Sequence, residues 1–205
     1  MLCICRGGDL MGMAASVPRY TAEEVRKFPD NGLRYEVIRG ELFVSPAPGT
    51  PHQRAVGELF LILAPYVEEH QLGEAILSPF EVEFAEDTAV QPDILVVPRQ
   101  RAGRLTLERL LGAPSLAIEV ISYSSKRTDR LQKRQLYLEE GVDEYWIFDP
   151  GLERVERWRP GAPEPEMVTD RLAWESGPGT PALVIELKPF FERIWRGLLK
   201  THANR

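Results

Sequence analysis

Cysteine is almost missing from this chain. Of 205 residues only two, Cys3 and Cys5, are cysteines, both at the amino terminus, which excludes a disulfide framework and a four-ligand zinc site. Histidine is nearly as scarce. His52, His70 and His202 form no spaced ligand pair, so any metal has to be held mainly by oxygen. Long hydrophobic runs are lacking too: the longest, residues 59–67, contains Pro65 and is about half of the ~20 residues needed to cross a bilayer. Residues 1–15 carry Arg6 and Asp9 in place of a continuous apolar signal core. No Walker-type or dinucleotide glycine loop occurs, so no nucleotide cofactor is indicated. These absences predict a cytoplasmic protein with no membrane partner.

What is present is an ordinary globular composition. Hydrophobic residues make up 43% and charged residues 27%, which rules out a disordered or collagen-like chain. The length is about one and a half times the ~150-residue domain prior, predicting one elaborated domain over 19–200 behind a flexible extension over 1–18. A net charge of −6 argues against a protein that coats polyanions, while leaving room for a small local basic site.

Thr21-Ala22-Glu23-Glu24 is a capping box with Pro29 behind it, predicting a short helix over 22–28. Residues 35–44 read as a hairpin turning at Arg39-Gly40. Thr50-Pro51-His52-Gln53 opens a helix with threonine as its cap, and Val56, Leu59, Phe60, Leu63 and Val67 give that helix one apolar face to about His70. Two adjacent strands are expected over 76–84 and 90–97, with Pro92 at a strand end or edge. A basic stretch with a short helix over 106–111 then leads to an apolar strand over 116–121, a helix over 128–140 ended by Gly141, and a strand over 145–148. A short apolar strand, a helix and another such strand make a parallel crossover. The expected fold is therefore mixed α/β (α+β), a sheet flanked by helices in the order αβββαβ over about 50–150. Accessory strands at 155–158, 167–174 and 183–187 follow, then a helix opened by Pro189.

Three features converge on the middle of this core. Asp93 follows Pro92 at the start of one strand, Glu119 interrupts the apolar run Ala117-Ile118-Glu119-Val120-Ile121, and Lys133 lies on the next helix. A carboxylate inside a short apolar strand is costly unless it is paired or binds a cation, and two of them on neighbouring strands make an oxygen site suited to Mg²⁺ or Mn²⁺. Lys133 stands three and four residues before Leu136 and Tyr137, so it flanks the apolar helix face and can stretch toward the carboxylates; the alternative is a solvated helix charge. Between Lys126 and Arg134 there are five basic residues and one acidic, which makes Lys126, Arg127, Arg130 and Arg134 candidate phosphate contacts or a solvated face. Ser122 and Ser125 read as helix caps, with phosphate contact a second role. His52 is either a phosphate or water contact or a hydrogen-bonded structural histidine.

The order of elements, with Pro92-Asp93 and then Glu119-Val120-Ile121, resembles the PD-(D/E)XK nuclease superfamily, in which the last motif position, here Ile121, is lysine. More closely, Arg39-Gly40-Glu41-Leu42, His52 at a helix start, Pro92-Asp93, Glu119-Val120-Ile121-Ser122 and Gly141-Val142-Asp143-Glu144-Tyr145-Trp146 resemble the Uma-type family of restriction-endonuclease-like proteins. The likeness runs from about residue 20 to 191. It implies a restriction-endonuclease-like core and a divalent-metal-dependent endonuclease acting on DNA as a homodimer or higher homo-oligomer. It further implies that the lysine has moved onto the following helix, with Asp93, Glu119 and Lys133 catalytic, and that Asp93, Glu119 and Glu41 hold Mg²⁺ or Mn²⁺. Glu41 reads equally as an exposed strand carboxylate. Tyr123 and Ser125 stand where the family has proline and threonine. The rival reading, motivated by Ile121 and the acidic balance, is a catalytically inert nuclease-fold module for nucleic-acid binding or assembly.

Overall fold

In the computed structural model, residues 19–121 and 129–198 are described, without the side chains of Asp129 and Arg130; the extension expected over 1–18 lies outside them. The capping box forms as the sequence predicts. In α1 (Ala22–Arg26) the Thr21 hydroxyl accepts the Glu24 N–H at 3.2 Å and the Glu24 carboxylate accepts the Thr21 N–H at 2.8 Å. The hairpin follows as β1 (Leu33–Ile38) and β2 (Glu41–Pro46), turned by Arg39 and Gly40, both at positive φ. The long helix is α2 (Thr50–Glu69), but its cap is Gly49 and the Thr50 hydroxyl makes no capping bond. Ala55, Leu59, Leu63 and Val67 bury one face of α2, while Leu61 on the other is 73% exposed.

The two strands expected over 76–84 and 90–97 are four. Proline supplies no N–H to a ladder, and Pro79 and Pro92 fall where each run leaves one sheet for another. The results are β3 (Gly73–Leu77), β4 (Glu81–Ala85), β5 (Thr88–Val90) and β6 (Ile94–Pro98). β3 pairs with β6, and β4 with β5, both antiparallel but in different sheets. The helix expected over 106–111 is also replaced. A 3₁₀ turn comes earlier, at Arg99–Arg104, and the Thr106 hydroxyl accepts the N–H groups of Glu108 and Arg109 to close a turn that feeds β7 (Arg109–Leu111), parallel to β4.

The crossover is β8 (Leu116–Val120), a π-helical turn at Asp129–Lys133 that runs into α3 (Arg134–Glu139), and β9 (Glu144–Asp149) parallel to β8. Gly141, at φ 81°, follows the end of α3. The chain continues through β10 (Arg154–Trp158), β11 (Glu166–Val168), β12 (Arg171–Trp174), β13 (Leu183–Glu186) and α4 (Leu187–Trp195). The expected strand over 167–174 is thus two, β11 and β12.

Six strands in the order β11-β10-β9-β8-β6-β3 form the main sheet, and β2-β1-β5-β4-β7 form a second. The order αβββαβ is realised by α2, β3, β6, β8, α3 and β9, with β4, β5 and β7 an excursion into the second sheet. Alternation along β8 divides the core. Leu116, Ile118 and Val120 pack with Leu59 of α2 and Phe190 of α4, whereas Ala117 and Ile121 pack with Leu136 and Tyr137 of α3 and with Val82, Val90 and Leu110 of the second sheet. Glu119 stands on the second face, between the two sheets.

Candidate active site

Asp93 occupies the corner at which the chain passes from β5 in one sheet to β6 in the other. It is 1% exposed, and both of its oxygens are used. Oδ2 accepts the Val120 N–H at 2.8 Å and lies 2.9 Å from His52 Nε2; Oδ1 accepts both terminal nitrogens of Arg34 at 3.2 Å. Burial pushes this carboxyl up, yet the hydrogen bond and charge of His52, the Arg34 guanidinium and the Val120 N–H together hold it below its ordinary value. Arg34 is in turn anchored by the Gln91 carbonyl at 3.1 Å and the Ser78 hydroxyl at 3.0 Å. Burial works against its charge, but Asp93, Glu119 and Glu36 outweigh it and raise its pKa.

Glu119, on β8 beside the Val120 amide, is 2% exposed, as is Lys133. The Lys133 ammonium lies 2.7 Å from Glu119 Oε1 and 2.9 Å from Glu36 Oε1. Glu36 comes from β1, is 3% exposed, and also accepts the Gln91 N–H at 2.6 Å. Tyr137, one turn beyond Lys133 on α3, donates its hydroxyl to Glu119 Oε1 at 3.2 Å. Burial and then the charge of Glu119 push that phenol well above its usual range, so it remains a donor.

Arg34, Glu36, His52, Asp93, Glu119 and Lys133 line one pocket together with Ser45, Pro46 and Pro48 of the β2–α2 connection, with a cavity of about 30 Å³, room for a water or two. A roomier cavity of about 500 Å³ sits by Ser115 and Glu144, at the ends of β8 and β9 away from Asp93. There Glu144 is already bonded to Trp146 and Arg159. The small pocket is where charge is concentrated: among the described residues, Glu36, Asp93 and Glu119 against Arg34 and Lys133 leave one net negative charge before His52 is counted. Among the described residues no three His, Cys, Asp or Glu side chains form a ready-made metal cage. The donor set is nonetheless all carboxylate, the chemistry a hard divalent cation prefers.

Of the residues singled out from sequence, Asp93, Glu119, Lys133 and His52 come together here. Glu41 does not. It faces the same side of the hairpin as Glu36 but pairs with Ile38 at the turn end, exposed and two strand positions, about 7 Å, farther along. The hairpin's contribution is instead Glu36 and Arg34, which share a face at i and i+2. Arg134 also stays away: consecutive helix residues diverge by about 100°, and its guanidinium stacks 4.7 Å over the Trp158 ring. Ser122, Ser125, Lys126 and Arg127 lie outside the described residues, as does the side chain of Arg130. Ile121, at the superfamily's lysine position, is buried in the apolar cluster.

Comparison with known proteins agrees with this architecture. The family model Uma2, described as "Putative restriction endonuclease", matches residues 22–188. A crystal structure of a protein from Anabaena variabilis, described as a "putative nuclease belonging to DUF820", superposes with a TM-score of 0.72 at 23% identity, covering 85% of this chain and 99% of that one. The shared fold is therefore that of a restriction-endonuclease-like protein. No curated protein matches the chain. Among the described residues no helix is long and apolar enough to cross a membrane.

Proposed function

The chain belongs to the Uma2 family of restriction-endonuclease-like proteins, and from that premise we propose that it is a divalent-metal-dependent endonuclease hydrolysing DNA phosphodiester bonds. The observation that carries the reading is the meeting of Glu36, Asp93, Glu119 and Lys133 in one pocket between two sheets. Buried carboxylates gathered this closely are costly as structure alone, which favours a use for them.

Asp93 and Glu119, with Glu36 as the third carboxylate, would hold Mg²⁺ or Mn²⁺. Bound there, the ion would polarise the phosphate and lower the pKa of an attacking water. The chain's own residues prepare that site. His52, Arg34 and the Val120 amide fix the Asp93 carboxylate, and Tyr137 fixes Glu119. Lys133 supplies the positive charge that offsets the charge developing on the transferring phosphate or positions the water, the electrostatic part of such a reaction. Lys133 does from the helix what residue 121 does in the superfamily pattern. Lys126, Arg127 and Arg130, with Ser122 and Ser125, are the proposed backbone-phosphate contacts, a local basic strip on an otherwise acidic protein. The enzyme is read as cytoplasmic and homo-oligomeric, the second so that two strands are cut together; a strict monomer in sedimentation at micromolar concentration removes that part.

The test is cleavage of supercoiled, branched and single-stranded DNA with Mg²⁺ or Mn²⁺ over a range of salt. Activity is expected, and Asp93→Ala is expected to lower it at least about 100-fold, the scale of removing one preorganised charge-stabilising group. No metal-dependent cleavage of any of these substrates, together with no Mn²⁺ binding in calorimetry, leaves the inert nucleic-acid-binding module as the reading.

A further inference from the structure

Lys133 and a divalent ion have a claim on the same place. The ammonium sits between Glu36 and Glu119, 2.9 and 2.7 Å from their oxygens, where all three side chains are 2–3% exposed. Taking the metal-dependent reading above as given, we propose that Lys133 is the site's resident counter-ion: its ammonium and the metal are alternative occupants between Glu36 and Glu119, and metal entry releases Lys133 toward the substrate phosphate.

Three features support the exchange. An ion held between Glu36 and Glu119 takes the oxygens that the ammonium now contacts, and two cations in contact with little water repel strongly. Lysine is a compact point charge on a flexible four-carbon stem, suited to relocation without moving its helix. Arg34 is held differently, because two of its contacts, the Gln91 carbonyl and the Ser78 hydroxyl, are neutral and persist whatever happens to Asp93.

Charge gives the exchange a direction. Among the described residues the pocket carries one net negative charge before His52 is counted, so a divalent ion adds positive charge that an anionic phosphodiester complements. The ammonium displaced from Glu36 and Glu119 is then a cation beside the metal that a phosphate can contact. Metal and nucleic acid therefore bind with positive coupling, and the metal-free protein keeps its acidic site closed by its own lysine. Couplings between two bound ligands commonly span about 5–150-fold.

The experiment is calorimetric titration of the full chain with Mn²⁺ alone, comparing wild type, Lys133→Gln and Lys27→Gln, the last a surface control whose ammonium pairs with Glu23 on α1. Lys133→Gln is expected to bind Mn²⁺ about tenfold or more tighter than wild type, within the range of such couplings, and Lys27→Gln to match wild type. Equal or weaker binding by Lys133→Gln overturns the inference while leaving the metal-dependent reading intact. No Mn²⁺ binding by any of the three overturns both. Because Lys133→Gln leaves two buried carboxylates facing each other and can fail to fold, crystals of wild type grown with Mn²⁺ provide a second measurement. An anomalous peak between Glu36 and Glu119, with the Lys133 ammonium withdrawn from both, supports the exchange. Mn²⁺ bound while Lys133 keeps its contact with Glu119 refutes it.

Discussion

Replacing Asp93 by asparagine separates two views of this acidic cluster. If the carboxylates were simply crowded together awaiting a metal, neutralising one would relieve repulsion and stabilise the metal-free protein. The geometry predicts the opposite. Asp93 receives the Val120 N–H, His52 and both Arg34 nitrogens, and an asparagine amide must turn its NH₂ toward one of those donors. Removing one member of a buried ion pair costs about 3–5 kcal/mol. The Arg34 side chain is 22% exposed and keeps its bonds to Gln91 and Ser78, so solvent and these acceptors reduce the loss to about 2–3 kcal/mol. For a chain of this size that lowers Tm by about 4–12 °C. Calorimetry and urea unfolding at pH 7, with chelator present, read the difference directly.

The pH dependence supplies the sign. Because the folded carboxyl is held below its ordinary value, its stabilisation is fully present above the unfolded pKa of about 3.9, and disappears as pH falls through the lower folded value. The gap between wild type and Asp93→Asn is therefore open at neutral pH and closes only below about pH 4. An Asp93→Asn protein as stable as wild type at pH 7, or more stable, refutes the claim that this corner is held by its charged acceptor.

Two further predictions follow from where the hairpin and α3 place their side chains. Glu36→Gln is expected to lower metal-dependent cleavage at least about 100-fold and Glu41→Gln to leave it within about twofold; equal effects in a plasmid-nicking assay contradict the assignment of the third carboxylate. Arg134→Ala is expected to cost about 0.5–2 kcal/mol in urea unfolding through its stacking on Trp158, without altering the salt slope of DNA binding. A slope reduced by about one unit would show instead that Arg134 contacts a phosphate.

The catalytic candidates were legible in the sequence to different degrees. Glu119 stood out because it breaks an apolar strand, where burial demands a partner, and Asp93 because it follows Pro92 at the start of the neighbouring one. Lys133 was legible as the residue on the next helix that flanks the apolar face. Glu36 was not. It lies in a half-polar hairpin beside Glu41, and local alternation allows either glutamate to be the buried one. The choice is made by the second sheet packing against β6 and α3, a long-range event with no local signature. The available hint was that Arg34 and Glu36 share a face and both precede the turn, whereas Glu41 follows it.

The fold shows the same division. The capping box of α1, the stripe of α2 and the parallel β8–β9 crossover rest on contacts within a few turns or on short apolar runs, and all were readable. The split of two expected strands into four was signalled only by Pro79 and Pro92, because alternation continues through each run although the partner strands change. Residues 106–111 have helical spacing, but the Thr106 hydroxyl captures the next amides and bends the chain into a turn.

The corner at Asp93 makes the pocket a joint as well as a site. Glu36 and Arg34 arrive on the second sheet, Glu119 and Lys133 belong to the main sheet and its crossover, and Asp93 is the stitch where one becomes the other. A chain that has folded only the main sheet has Lys133 and Glu119 but neither the third carboxylate nor the arginine that orients Asp93. On the proposed function, a copy whose second sheet has not closed on the corner lacks half of the groups the site needs.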